Sequence, residues 1–224
     1  MSQELGRLER PAAQQYAGKR KLLLLPLIQA PGVEEPAAKE LLDRFWDQMR
    51  QQIASLESGL GDLRHIFHET LTEGGEPGLK QLEMSDSRSH RFVKEKCQAG
   101  AALVAIEELE LLMETLDLRR FLMMPLASQR VAKRIQEWFA ESNRERYKHI
   151  AERIDSSIGE GQLGLLLISE GHQVQFPSDL EVFYVAPPAL DEYRRWFQGW
   201  LAEQRDKMSS SGTPEENLEQ EQGE

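Results

Sequence analysis

Apolar residues occur in this chain both as short runs and at the spacing of helices. Nearly continuous runs at 21–28 and 163–168 are typical of strands that are buried on both faces of a sheet. Residues 179–185 predict another strand. Alternation over 63–71 favours a strand, with a short helix as the alternative, and 101–106 favours a short buried strand.

Between these runs, apolar residues recur every three or four positions, which predicts helices. The predicted helical segments are 36–58, 79–99, 107–124, 128–158 and 188–204. Segment 79–99 reads as one or two helices with Ser85 or Asp86 as the N-cap, and the glycine-rich stretch 72–78 reads as a turn. Strands separated by helices predict an α/β fold, helix-rich, with a small and mostly parallel sheet of four or five strands covered by helices.

The ends of the chain differ in composition from its centre. Residues 1–19 lack a periodic pattern and predict a flexible arm, and residues 20–206 predict a single α/β domain. Residues 207–224 are rich in Ser, Gly, Gln and Glu, with five glutamates, which is typical of a disordered acidic tail.

Composition narrows the class of protein. The formal net charge of −11 disfavours nucleic acid and an anionic membrane as partners. One cysteine, Cys97, excludes an intrachain disulfide and a CxxC motif, and it favours a reducing cytoplasm. The apolar runs are far shorter than the ~20 residues of a membrane-spanning helix, and the polar N-terminus has no signal-peptide pattern. The expectation is a soluble cytoplasmic protein.

Polar residues that follow the predicted strands indicate where a site would lie, because the carboxyl ends of parallel strands open into one crevice. These residues are Gln29, His68 with Glu69, Glu170 with His172 after the strand 163–168, and, if 101–106 is a strand, Glu107 with Glu108. Imidazole and carboxylate groups bind divalent metals and carry out acid–base chemistry near neutral pH. His68 and His172 are therefore the predicted metal ligands. The alternative for each histidine is a solvated or backbone-bonded residue in a turn.

Segment 143–154 places Arg146, His149 and Arg153 on one helix face. Such arginines hold a carboxylate or phosphate of a substrate, or they make ion pairs with neighbouring elements. The chain has no GxGxxG, GxxxxGK[ST], HExxH or GxSxG motif, so dinucleotide, P-loop, zincin and hydrolase-elbow functions have no support.

The stretch "RYKHIAERIDSSIGEGQLGLLLISEGHQV" (146–174) resembles the TraB/ChaN-like superfamily, which includes the TIKI metalloproteases and the erythromycin esterases. Its metal-dependent members carry two GxxH motifs and a glutamate. Here residues 169–172 match the second motif, with serine in place of the first glycine, and Gln29 stands where the other histidine would be. The resemblance implies that Arg144 or Arg146, Glu107 and His172 match family positions. It is compatible with an active hydrolase, a degenerate relative, or an enzyme that uses ligands such as His68 and Glu69.

Two functions follow as expectations. The first is a hydrolase-like enzyme, metal-dependent or degenerate, for a small anionic or ester/amide substrate, with His172, Glu107 and Arg146 as catalytic residues. Gln29, Glu69 and Arg153 would bind the substrate, and the cofactor is left open, with a divalent metal as the candidate. The alternative is a non-catalytic binding or scaffolding module that contacts a protein partner through its helical surface and acidic tail. A homo-oligomer is compatible with either function.

Overall fold

The computed structural model describes residues 13–28, 30–31 and 35–210. A 3-10 turn at Ala13–Tyr16 precedes the regular elements. These are β1 (Arg20–Leu27), α1 (Pro36–Leu60), β2 (Leu63–His68), α2 (Gly75–Ser85), α3 (Ser87–Gln98), β3 (Ala102–Val104), α4 (Leu109–Met123), α5 (Gln129–Ser157), β4 (Leu163–Ser169), β5 (Leu180–Tyr184) and α6 (Pro188–Ser210). The predicted helix-rich α/β fold is confirmed: all five strands of the described chain are parallel.

The strand order is β3-β2-β4-β1-β5. The register of the central pair runs from Lys21 opposite Leu163 to Leu27 opposite Ser169. Because β1 and β4 have neighbours on both sides and are buried along nearly their whole length, their sequences are apolar at consecutive positions instead of alternating.

Pro26 lies inside β1, although proline has no N–H for a sheet ladder. The carbonyl of Leu24 accepts from Val185 N at 2.9 Å, so Leu24 directs its backbone groups toward β5. Pro26, two residues further on, directs its nitrogen to the same side, where pairing with β5 has ended at Tyr184. The missing donor therefore removes no strand-to-strand hydrogen bond.

The segment after β2 differs from its predicted form. Residues 75–78 belong to α2, so the predicted turn over 72–78 is wrong for its second half. Pro77 lies in the first turn of this helix, where a missing N–H costs nothing, and the glycines that suggested a turn do not prevent the helix from starting. Asp86 caps α3 by accepting from the backbone N–H of Arg88 and Ser89, which confirms two helices over this segment.

Helix α5 covers one face of the sheet. Ser128 caps its start by accepting from Val131 N. Ile150, Ile154 and the C-cap residue Ile158 are buried in a core that also contains Leu22 and Leu24 of β1. Residues four positions apart lie on one helix face, so these isoleucines form one apolar stripe over the strands.

The contacts of the described chain group into two compact units. One unit ends at Ile28, resumes at Ile53 and ends at Val185, and it contains the whole sheet with α2 to α5. The other contains the earlier part of α1, up to Gln52, together with α6. The single domain over 20–206 stays a prediction.

Within the second unit, α1 and α6 are joined by polar contacts. Gln48 Oε1 accepts from Ala189 N at 3.0 Å, and Arg44 pairs with Glu192. Helix α6 continues to Ser210, so residues 207–210 of the predicted tail are helical, while 211–224 and the arm residues 1–12 lie outside the described residues. Across the described chain, no helix combines the length and apolar character needed to cross a membrane.

Candidate functional site

A buried ion cluster, formed by Glu69, Glu107 and Arg146, lies at the carboxyl edge of the sheet. Arg146 Nε donates to Glu107 Oε2 at 2.8 Å, and its Nη2 donates to Glu69 Oε1 at 3.0 Å and also to Glu107 Oε1. All three residues are at most 7 % exposed. A planar guanidinium matches carboxylates in this way because its N–H groups are fixed in a fork.

The order of the strands explains why these groups meet. Glu69 directly follows β2, and Glu107 comes three residues after β3, the neighbour of β2 on one side. On the other side is β4, whose last residue, Ser169, donates its N–H to Glu69 Oε2 at 2.7 Å. Arg146 reaches both carboxylates from the buried face of α5.

Glu69 and Arg146 are held in their charged forms. Burial by itself would raise the pKa of Glu69, but the hydrogen bond from Ser169 N and the charge of Arg146 outweigh it, and the pKa is lowered. Burial also opposes the charge of Arg146, yet its bonds to Glu107 and the nearby Glu69 raise its pKa. Two carboxylates and one guanidinium leave the cluster with a net negative charge.

Thr70 marks local strain beside this cluster. Its φ is +78°, a left-handed conformation that β-branched residues rarely adopt. The conformation is supported by Glu107 Oε1, which accepts from Thr70 N at 3.1 Å, and by Gln81 Nε2, which donates to Thr70 O at 2.8 Å. Glu107 therefore holds both the arginine and the turn after β2.

His68 is buried next to the cluster. Its Nδ1 is hydrogen-bonded to the carbonyl of Glu69, so Nδ1 carries the proton and Nε2 is an acceptor. Nε2 is buried and has no partner within the described residues. Burial lowers the pKa of His68 despite the nearby carboxylates, so the imidazole is neutral at pH 7.

His172 lies in the loop after β4 and is half-buried. Its backbone N–H closes a turn onto Ser169 O at 3.2 Å, and its Nδ1 accepts from Val174 N at 3.3 Å. Burial lowers its pKa, with a smaller opposing effect of Glu69. The neutral ring therefore carries its proton on Nε2, which is a hydrogen-bond donor.

A cleft of about 1160 Å³ contains His172 in its lining and is called the His172 cleft below. Its remaining walls come from α4, α5, the loop 171–175 and Tyr184. The charged residues of the lining are three cations, Arg119, Arg144 and Lys148, and one carboxylate, Glu152. A cavity of this size accommodates a small organic molecule.

The sequence predicts a divalent metal at His68 and His172. The donor atoms around these residues show whether a metal ion fits there. The oxygens of Glu69 and Glu107 are already bonded to Arg146 and to backbone N–H groups. Nδ1 of each histidine is bonded to the backbone and Nε2 of His172 carries the ring proton, so Nε2 of His68 is the one nitrogen of these two rings that is left as a donor to a metal. The guanidinium already supplies the positive charge that a metal would bring. No three His, Cys, Asp or Glu side chains within the described ranges come together to hold a metal ion, so these residues do not fit one.

The structure brings some of the predicted site residues together and separates others. Glu69, Glu107 and Arg146 form the buried cluster, whereas His172 lies on the cleft. Arg153 is exposed, and its Nε donates to Ala105 O at 3.3 Å. Gln29 lies outside the described residues. Catalytic or substrate-binding roles for these residues remain predictions.

Sequence reasoning missed most of the cleft. Arg144 is predicted only through the family resemblance, and Tyr147, Lys148 and Ala151 are not assigned to a site, although residues three and four positions apart on α5 share a face. Arg119 comes from α4, and no local pattern connects it with α5.

The fold and the site together define a parallel α/β protein with an ion-paired sheet edge and a cationic cleft beside it. Comparison with protein-family models, curated proteins and solved structures gives no match for this chain. The resemblance to the TraB/ChaN-like superfamily thus remains a prediction.

Proposed function

We propose that this protein binds a small organic molecule that carries an anionic group, in the His172 cleft. The observation that supports this proposal is the excess of cationic side chains in the lining of the cleft. In a chain with a formal net charge of −11, a lining with three cations and one carboxylate is a region of local positive charge that suits an anion.

Two of these cations are available to a ligand. Lys148 Nζ lies 3.8 Å from Glu152 Oε1, which compensates its charge in part. Arg119 and Arg144 make no ion pair or side-chain hydrogen bond with any described residue, and both are exposed. Guanidinium groups bind carboxylate or phosphate through two parallel hydrogen bonds, so either group is suitable for the ligand.

The remaining residues of the lining are suited to contact the uncharged organic part of the ligand. Phe139, Tyr147 and Tyr184 supply aromatic surface, and the Nε2–H of His172 is a further donor for an oxygen of the ligand. Cavities that bind small molecules combine apolar surface with a few polar groups in this way.

4-Nitrophenyl phosphate, which has an aromatic ring and an anionic group, is a suitable probe. We expect it to bind with an affinity that falls about tenfold in the Arg119→Gln, Arg144→Gln double variant, since each lost charge-assisted hydrogen bond weakens binding. Titration calorimetry measures this change. Arg64→Gln is the matched control, because Arg64 is exposed on β2 and does not line the cleft. Equal losses in the control and the double variant would contradict the proposal.

Hydrolysis of an ester or amide in the bound molecule is the second candidate. The observation that favours it is a neutral imidazole in the cleft, since neutral histidine is the usual proton acceptor in such reactions. Its proton lies on Nε2, so Nε2 becomes a base only when the proton moves to Nδ1 and the bond from Val174 N breaks.

Release of 4-nitrophenol from the mono-4-nitrophenyl ester of succinate, which carries a free carboxylate, tests this reaction. For a hydrolase, His172→Gln should lower kcat by a much larger factor than it lowers the affinity for 4-nitrophenyl phosphate, because binding loses only the hydrogen bond from Nε2–H. Turnover that is absent in the wild type, or unchanged by the substitution, would leave binding alone as the function.

A cytoplasmic location, suggested by the single cysteine, is part of the proposal.

A further inference from the structure

Helices α4 and α5 form a hairpin whose far end exposes apolar side chains. None of the residues 119–141, called the hairpin tip below, is buried. The large apolar side chains that are about half exposed or more are Phe121 (48 %), Met123 (77 %), Met124 (51 %), Val131 (48 %) and Trp138 (54 %). Such groups of exposed apolar side chains mark surfaces that bind a partner.

Charge in the hairpin tip is opposite to that of the whole chain. Residues 119–136 contain five basic and no acidic residues, so the rest of the chain is even more acidic than its net −11. Ion pairs compensate part of this charge: Arg120 lies 2.7 Å from Asp117, and Glu137 lies 3.3 Å from Arg134 and 4.0 Å from Lys133. Arg130 makes no ion pair with a described residue. The tip is therefore both apolar and cationic.

The apolar character and the cationic charge of the tip together indicate which kind of partner it binds. Each tip contains five basic and two acidic residues, so two tips that met face to face would bring two net positive surfaces together, which like-charge repulsion opposes. A nucleic acid would neutralise the charge, but its phosphates offer no apolar surface to Met123 or Phe121. An anionic lipid surface satisfies both properties, because apolar side chains enter the boundary of the acyl chains while Arg and Lys bind the headgroups.

We propose that the hairpin tip docks peripherally onto a lipid membrane with anionic headgroups. The net charge of the whole chain favours the opposite expectation, but charges act over about 10 Å at moderate ionic strength, so the local charge of the tip decides its contacts. Met123 and Met124 lie where α4 ends, and Leu126 lies in the connection that leads to α5. This turn would enter the membrane first. The tip shares Arg119, Phe139 and Ala140 with the lining of the His172 cleft, whereas Met123, Met124 and Arg130 lie outside that lining.

Sedimentation with vesicles tests the docking in the full chain. We expect binding to phosphatidylcholine vesicles that contain phosphatidylglycerol, weak binding to phosphatidylcholine alone, and a decrease with added salt. The Met123→Glu, Met124→Glu double variant should lose binding. Arg130→Gln should lower it about fivefold, which corresponds to one basic residue at a charged surface.

Met84→Glu is the matched control, because Met84 is 84 % exposed on α2, outside the hairpin. It should bind vesicles as the wild type does. Failure of the wild type to bind anionic vesicles, or an equal loss in Met84→Glu and in the double variant, would overturn the proposal. A dimer in solution that dissociates in the double variant would also overturn it and would identify a second copy as the partner. Binding of 4-nitrophenyl phosphate should be unchanged in the double variant, which separates this test from that of the cleft.

Discussion

Arg146 lies between two carboxylates that are almost completely removed from water. Taking charges out of water is costly, and the cost is offset only while each charge keeps its partners. Glu69 and Glu107 retain theirs through the guanidinium and the backbone N–H groups of Ser169 and Thr70. The cluster therefore depends on all three members being present.

Replacing the arginine should expose this dependence. We expect Arg146→Met to lower the free energy of unfolding by about 3–5 kcal/mol, because it leaves two carboxylates buried without a positive charge. Urea unfolding measures the loss. Arg144→Met, on the exposed side of the same helix, should change the value by no more than about 0.5 kcal/mol. Adding Glu69→Gln and Glu107→Gln to Arg146→Met should recover part of the loss; no recovery would argue against unpaired charge as its cause.

His68 should make stability depend on pH. Burial lowers its pKa in the folded state below the ordinary value of 6.5, so the unfolded chain binds more protons than the folded chain as the pH falls below 6.5. Above pH 6.5 His68 does not lower the free energy of unfolding. As the pH falls from 6.5 toward the folded-state pKa, the free energy of unfolding decreases by up to about 1.4 kcal/mol per pH unit. In urea unfolding at a series of pH values, His68→Leu should give a flatter profile below pH 6.5.

His172 provides a comparison for that profile. Its pKa is also lowered by burial, but it is only half-buried. His172→Leu should therefore flatten the profile in the same direction and by less. A profile for His68→Leu that parallels the wild type would contradict a buried neutral imidazole at position 68.

At the scale of elements, α2 begins very close to β3. A Cβ atom on Gly74, just before the helix, would lie 2.7 Å from the backbone oxygen of Leu103. A carbonyl in a strand cannot move aside as a flexible side chain can, so only glycine allows this approach.

Gly74→Ala should accordingly lower the free energy of unfolding by about 1–3 kcal/mol, the usual cost of overpacking. Gly199→Ala is the control, since Gly199 lies within α6 and a Cβ there would meet nothing within 4 Å. Alanine favours helix over glycine, so the control should gain about 0.5–1 kcal/mol. Thermal or urea unfolding of both variants measures the difference, and a neutral Gly74→Ala would mean that the helix can shift away from the strand.

At the scale of the whole molecule, charge is distributed unevenly along the chain. The hairpin tip is basic over 119–136, whereas the last fourteen residues contain five glutamates and no basic residue. Net charge, which predicted no membrane partner, averages over these regions. The effect of each region on membrane binding can be measured by changing one region and keeping the other.

Truncation after Ser210 removes the five terminal glutamates. If the tip docks onto anionic vesicles, the truncated chain should bind them more tightly than the full chain at low ionic strength, because repulsion from the lipid decreases. The difference should disappear at high salt, where charges more than a few ångströms apart are screened. Vesicle sedimentation of both chains gives the comparison; a difference that persists in high salt would point to a cause other than charge.

The amino-acid sequence determined the elements of this protein and their parallel arrangement. Runs such as 163–168 and the helical spacing of 128–158 are local properties, and the alternation of strands with helices restricts how the chain can connect them. The same rule correctly placed Glu69 and Glu107 at strand ends. It failed for residues 75–78, where glycine and proline are equally compatible with a turn and with the first turn of a helix.

Only the tertiary structure decided how these residues are paired. Arg146 is 77 residues from Glu69 and 39 from Glu107 along the chain, and its spacing on α5 fitted substrate binding and ion pairing equally well. The cleft likewise joins Arg119 of α4 to residues of α5 and to the loop after β4. Contacts between distant segments depend on strand order and helix packing, because many pairings share the same local pattern, and this is why the sequence showed where charged groups would lie but not which of them would neutralise one another.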